Sequence, residues 1–188
     1  MSIATSGSPS CRIFSVAALT GADARAVRVG GVITTVTEAD LPELLPLMRG
    51  YCEFYEVSPS DEALLAMSRT LIADPELEGL QLLARDDDGR AVGFATIFWT
   101  WSTLSASRLG VMNDLFVVAD ARGGGHADAL IAECAERCRE RGATSLDWQT
   151  AHDNTRAQAV YERVGATRDE RWLDYSLDVP PGATTPDS

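Results

Sequence analysis

Three consecutive glycines, Gly123-Gly124-Gly125, stand between an apolar β-type run and an amphipathic helix, and this junction limits the fold of the 188-residue chain more than any other feature. Val111–Ala119 reads as a buried strand. Gly125–Arg141 reads as a helix closed by Gly142, with an apolar stripe of Ala127, Leu130, Ile131, Cys134 and Cys138. A glycine-rich bend lets main-chain N–H groups approach a ligand closely, and the first turn of a helix adds unpaired donors and about +0.5 of partial charge. Such a bend suits an anion, most naturally a phosphate or pyrophosphate. A turn that serves geometry alone is the bland alternative; the position after a strand and ahead of a helix favours the ligand. Two common phosphate motifs fail here. No Gly-Lys-Ser/Thr follows, and a dinucleotide fingerprint begun at Gly123 needs glycine where the chain has Asp128.

The rest of the chain alternates. Val32–Thr37 reads as a strand, Glu38–Tyr55 as a helical segment and Asp61–Ala73 as a second helix capped by Ser58 or Ser60. Gly79–Arg85 and Ala91–Trp101 form a hairpin about an Asp-rich turn. After Gly142 come a strand over Thr144–Thr150, a helix over Asn154–Val164 and a last strand over Arg171–Val179. Strands in succession, then strands alternating with helices, indicate an α/β sheet, antiparallel at first and partly parallel later. The length suits one domain with a spare segment. Residues 1–30 are expected to be a disordered extension, because the apolar stretch Ile13–Leu19 is too short and interrupted for a good signal peptide, and residues 180–188 a loose tail.

Composition removes several classes of function. With 28 acidic and 16 basic residues the formal net charge is −12, the wrong sign for a general nucleic-acid binder and favourable to cationic amines. No apolar run reaches the ~18 residues of a membrane span. Cys11, Cys52, Cys134 and Cys138 contain no Cys-x-x-Cys pair, and His126 and His152 are the only histidines, so no metal site is expected. Cys134 and Cys138 read as buried apolar residues of a cytoplasmic protein. The histidines read as loop or helix-edge residues.

Arg122-x-x-Gly125-x-Ala127 matches the Arg/Gln-x-x-Gly-x-Gly/Ala signature of the GCN5-related N-acetyltransferases. Downstream, Asn154-x-x-Ala157-x-x-x-Tyr161-x-x-x-Gly165-Ala166 resembles the same family's Asn-x-x-Ala-x-x-x-Tyr-x-x-x-Gly-Phe block, with Ala166 where Phe is usual. The resemblance implies a mixed, partly splayed central sheet of six to seven strands with about four helices, opened between the fourth and fifth strands. It implies acetyl-CoA as co-substrate. The main chain of Leu115, Phe116 and Val117 would hold the pantetheine arm and polarise the carbonyl, Arg122, Gly123, Gly124, Gly125, His126 and Ala127 would hold the pyrophosphate, and Asn154 would touch the coenzyme while capping its helix.

Tyr161 would protonate the departing sulfur as general acid. The base is less legible, since Gln149 stands where some relatives carry a carboxylate; Asp114, Glu53 or an ordered water chain are the alternatives. Tyr51, Phe54, Tyr55, Trp99 and Trp101 are candidate walls for the acceptor, although strand alternation accounts for much of that aromatic content. The acceptor would be a small-molecule amine or a protein amino group, with neither nucleic acid nor membrane as partner and with a homodimer in keeping with the family. An acyl-CoA-binding sensor without turnover is the rival reading, and a binder of another phosphorylated ligand a weaker third.

Overall fold

The computed structural model describes residues 31–179; the expectations for residues 1–30 and 180–188 lie outside the described residues. The chain runs β1 (Val32–Thr35), α1 (Leu41–Phe54), α2 (Asp61–Ala73), β2 (Gly79–Arg85), β3 (Ala91–Ser102), β4 (Ser107–Val117), α3 (His126–Glu140), β5 (Ala143–Asp147) and α4 (Thr155–Arg163). A short 3-10 turn at Glu38–Asp40 leads into α1, tied by the Asp40 carboxylate accepting from the Thr37 amide at 2.9 Å and hydroxyl at 2.7 Å. Ser60 caps α2, its hydroxyl accepting from the Ala63 amide at 3.2 Å.

The sheet has the order β1-β2-β3-β4-β5. The first four strands pair antiparallel and β5 joins β4 in parallel, the mixture the sequence predicts. The strand number differs: five among the described residues, with residues 171–179 outside any strand. Leu173, Tyr175, Leu177 and Val179 alternate with polar residues as a strand should, yet all four are exposed. Alternation stabilises a strand only where one face is buried against a neighbour, and none is presented among the described residues. Gln149 ties the segment down by donating to the Asp174 carboxylate at 2.6 Å.

Side-chain parity divides the core. Leu80, Leu82, Ala95, Ile97 and Met112 face α3 and pack with Leu130, Ile131, Cys134 and Cys138. Leu83 and Phe94 face the other way, onto Leu41, Leu44, Leu47 and Met48 of α1, with α2 behind them. Burial raises the thiols of Cys134 and Cys138, the latter to about 11, consistent with packing residues. No described helix is long and apolar enough to cross a membrane.

Candidate active site

β4 is the spine of the site, and one extra residue in it decides what faces where. Opposite β3 the register runs Thr96↔Asp114 and then Ile97↔Met112, so Asn113 is bulged out. A bulge reverses side-chain parity beyond it. Met112 points into the α3 core; without the bulge Asp114, two residues on, would point there as well. With it, Asp114 turns toward α1 and is 8% exposed.

α1 can reach that carboxylate because Gly50 lies against the Phe116 ring, where a methyl group would come within 2.9 Å of the ring edge. The next residue, Tyr51, then sits over Asn113 and Asp114. Its hydroxyl donates to the Asn113 carbonyl at 3.4 Å and also hydrogen-bonds the Asp114 carboxylate. The Asn113 amide donates to Asp114 at 3.0 Å, and the Thr96 hydroxyl supplies a third donor. Burial nevertheless wins and raises the Asp114 carboxyl above its ordinary value, with these three donors opposing it. Burial foremost, and then the Asp114 charge, raises the Tyr51 phenol and the Cys52 thiol, which keeps both neutral.

The glycine-rich loop follows β4. β5 pairs with β4 only as far as Val111↔Asp147, so the sheet opens beside residues 113–117. Arg122 folds the loop back on the strand end, its Nε donating to the Val117 carbonyl at 3.0 Å. Gly123 and Gly125 adopt φ of 85° and 83°, the left-handed region, and Gly125 is the N-cap of α3. The N–H groups of Gly123, Gly125, His126 and Ala127 have no backbone acceptor among the described residues, whereas Gly124 donates to the Ala121 carbonyl at 3.4 Å. Unpaired donors at a helix start are what a diphosphate requires, so this loop fits the coenzyme's anionic handle. His126 is buried at the first position of α3 with its ring against Gly124, more enclosed than a helix-edge residue. Phe116 turns its ring into the α1 core beside Tyr51 and Phe94 and pairs its main chain with Phe94 of β3.

α4 closes the other side. Asn154 Oδ1 caps it, accepting from the Ala157 amide at 3.2 Å. Arg163 grips Asp128 of α3 through two 2.7 Å bonds and holds that carboxyl below its usual range, which locks α4 beside the loop helix. Tyr161 packs edge-on to Trp148 at 5.2 Å. Burial raises its phenol, against a hydrogen bond with Thr150, and the Tyr55 phenol adds to the rise. Between α4 and the end of α1 lies a cleft of about 380 Å³ lined by Phe54, Tyr55, Ala151, Asp153, Asn154, Thr155 and Arg156.

Of the residues singled out from sequence, most lie at this cleft or on the elements beside it: Phe54, Tyr55 and Asn154 line it, Tyr51 stacks on Tyr55 and reaches Asp114, Tyr161 is on α4, and the 122–127 loop follows the end of β4. Three do not. Trp99 is buried on the α3 side and donates to the Pro75 carbonyl at 2.9 Å, Trp101 is exposed beneath Arg108 near the β3–β4 turn, and Glu53 is exposed on α1. Sequence reading missed Thr96 and Gln81. Their signal was a polar residue in the middle of an apolar strand, Gln81 among leucines and Thr96 between Ala95 and Ile97.

A model of the acetyltransferase (GNAT) family matches residues 44–166. The chain is 30% identical over 142 residues to the uncharacterized N-acetyltransferase YhfO of Bacillus subtilis, covering 76% of this chain and 93% of that protein. It is 32% identical over 115 residues to the D-amino-acid N-acetyltransferase HPA3 of Saccharomyces cerevisiae, covering 61% and 70% of the two chains. A solved structure of a probable acetyltransferase shares 29% identity with a TM-score of 0.71, over 79% of this chain and 98% of that one. The structure of AAC(6')-Iy in complex with a CoA-based bisubstrate analog, 22% identical, shares the fold with a TM-score of 0.68 over 79% of this chain and 99% of that one. The chain therefore belongs to the acetyltransferase (GNAT) family. It is an N-acetyltransferase, and the family's acyl donor is acetyl-CoA.

Proposed function

We propose that residues 31–179 form one acyltransferase domain that transfers an acetyl group from acetyl-CoA directly to the primary amine of a small molecule. Acetyl-CoA supplies an activated thioester. The unpaired amides of the 122–127 loop hold its diphosphate, and the main chain of Leu115–Val117, at the open part of the sheet, aligns the arm and polarises the carbonyl. Asn154 steadies the arm with the side-chain nitrogen its capping role leaves over.

Asp114 takes the proton from the attacking amine. A carboxyl raised by burial is a stronger base than a solvated one, and it serves as long as the medium is above its pKa. As the nitrogen–carbon bond forms and the carbon–sulfur bond breaks, the Tyr161 phenol delivers a proton to sulfur. Burial keeps that phenol protonated through neutral pH, so it is always loaded as an acid. Tyr51, Phe54 and Tyr55 wall the acceptor side and Asp114 attracts a cationic head, a combination suited to an amine with an apolar body. The names of two relatives support small amines of the amino-acid kind: the D-amino-acid N-acetyltransferase above, and a thialysine N-epsilon-acetyltransferase of Caenorhabditis elegans, 25% identical over 149 residues.

The observation that supports the reading is that one strand, β4, carries a buried carboxylate and leads at its end into a loop whose amides lack backbone acceptors among the described residues. The test is calorimetric titration with acetyl-CoA, followed by free-thiol release across a panel of D-amino acids, thialysine, polyamines and short peptides. The chain contains no lysine, so release without added amine cannot come from its own side-chain amines. Tight binding with release from a small amine supports the proposal. Binding with no release from any amine supports the sensor reading, and release from peptides alone moves the acceptor to proteins.

A further inference from the structure

Gln81, Thr96 and Asp114 are the three buried polar residues of the sheet, with 2%, 0% and 8% exposure, and they stand in one row. Gln81 pairs with Thr96 across β2 and β3, and Thr96 pairs with Asp114 across β3 and β4. All three face α1. The Gln81 Nε2 donates to the Thr96 hydroxyl oxygen at 3.2 Å, and lies 3.7 Å from the Met48 sulfur. An amide nitrogen can only donate, so the single hydroxyl proton of Thr96 is released for the carboxylate. Direction thus runs one way along the row, from amide to hydroxyl to carboxylate.

Packing alone does not account for this row. Gln81 Oε1 is buried with no hydrogen-bond partner, an unfavourable condition that a leucine would avoid. The amide is retained beside Thr96, where its other end fixes the hydroxyl.

We infer that Thr96 and Gln81 are positioning residues for the amine-deprotonating carboxylate of Asp114, Thr96 by direct donation and Gln81 by orienting the Thr96 hydroxyl. The inference rests on the proposal that Asp114 is the base. Other groups facing Asp114 do not compete as titrating partners. From α1 come Tyr51 and Cys52, both raised and neutral, with Tyr55 behind Tyr51; from β4 comes the Asn113 amide; from β3 comes Thr96 itself. Loss of the Thr96 donor leaves burial less opposed, so the carboxyl holds its proton to higher pH.

The test is the pH dependence of kcat at saturating acetyl-CoA and amine, which reports groups in the ternary complex. Thr96→Val is expected to move the acid limb upward by about one pH unit, the size of one hydrogen bond to a charged group. Acetyl-CoA affinity by calorimetry stays within about twofold. Thr96→Ser, which keeps the hydroxyl, is expected to keep the native limb, and Gln81→Leu to move it by less than Thr96→Val in the same direction. A Thr96→Val protein that is folded, binds acetyl-CoA and shows an unmoved limb overturns the inference. Should Thr96→Val not fold, Gln81→Leu decides alone, a moved limb supporting the inference and an unmoved one overturning it. Asp114→Asn separates the two levels. If it retains the limb, the base reading falls and the inference with it; if it loses the limb while Thr96→Val does not shift it, the positioning inference alone falls.

Discussion

The two faces of the sheet are built on different terms. Toward α3 the buried strand residues are apolar, and the chemistry beside that core, at the 122–127 loop, is presented by the main chain. Toward α1 the strands carry a polar row inside the core, and the chemistry is presented by side chains. A main-chain site depends on where glycines and a helix start fall. A side-chain site depends on strand parity, which one bulged residue reverses. The proposed coenzyme side is therefore expected to tolerate most substitutions outside its glycines, and the proposed acceptor side to be sensitive to single buried atoms.

Substitutions that separate the two faces sharpen this contrast. Asp114→Asn removes the proposed base and is expected to lower kcat by about 10²- to 10⁴-fold with acetyl-CoA affinity retained, read by thiol release and calorimetry on one preparation. Tyr161→Phe removes the proposed acid and is expected to cost kcat roughly 10²-fold, again with affinity intact; an unchanged kcat removes the tyrosine from the mechanism. Gly125→Val acts on the other face. A β-branched residue at φ 83° is strained, and its side chain crowds the amides, so acetyl-CoA affinity should fall at least ~10-fold while thermal stability drops only modestly. Native affinity in Gly125→Val would break the main-chain half of the contrast.

The smallest effect is on stability. The Asp114 carboxyl ionises less readily in the folded chain than in the unfolded one. Its contribution to folding is complete below the ordinary carboxyl value of 3.8 and is lost as pH rises through the raised folded value. Asp114→Asn is thus expected to raise Tm at pH 7 by a few degrees, about 2–4 °C per kcal/mol at this size, with the gap closing near pH 4. A Tm gap that widens on acidification would contradict the burial of that charge.

Much of this was legible in the sequence, and the boundary is physical. Local rules placed the helices and the hairpin, because Ser60 caps α2, apolar spacing of 3.6 writes α3, and Gly142 follows its end. The glycine-rich bend and the helix start after it were legible because their donors belong to the backbone, and only the glycines and the helix start need to be seen. The acceptor side was legible in part. Asp114 was named as one of several bases, but its orientation follows from the bulge at Asn113, and a bulge has no composition of its own. Tyr51 was named only as an aromatic wall; its approach to Asp114 follows from Gly50 meeting Phe116, a contact between residues 66 positions apart in sequence. The alternating run at 171–179 misled for the opposite reason, since its local pattern is complete and only the lack of a neighbour among the described residues defeats it.

The division between the faces is tested most directly by single-turnover thiol release from the Asp114→Asn protein with a small amine, with acetyl-CoA affinity measured on the same sample. The expected result is native affinity with release slowed by at least about 10²-fold at neutral pH. Release at the native rate would contradict the assignment of the base, and loss of affinity together with release would contradict the separation of a coenzyme face from an acceptor face.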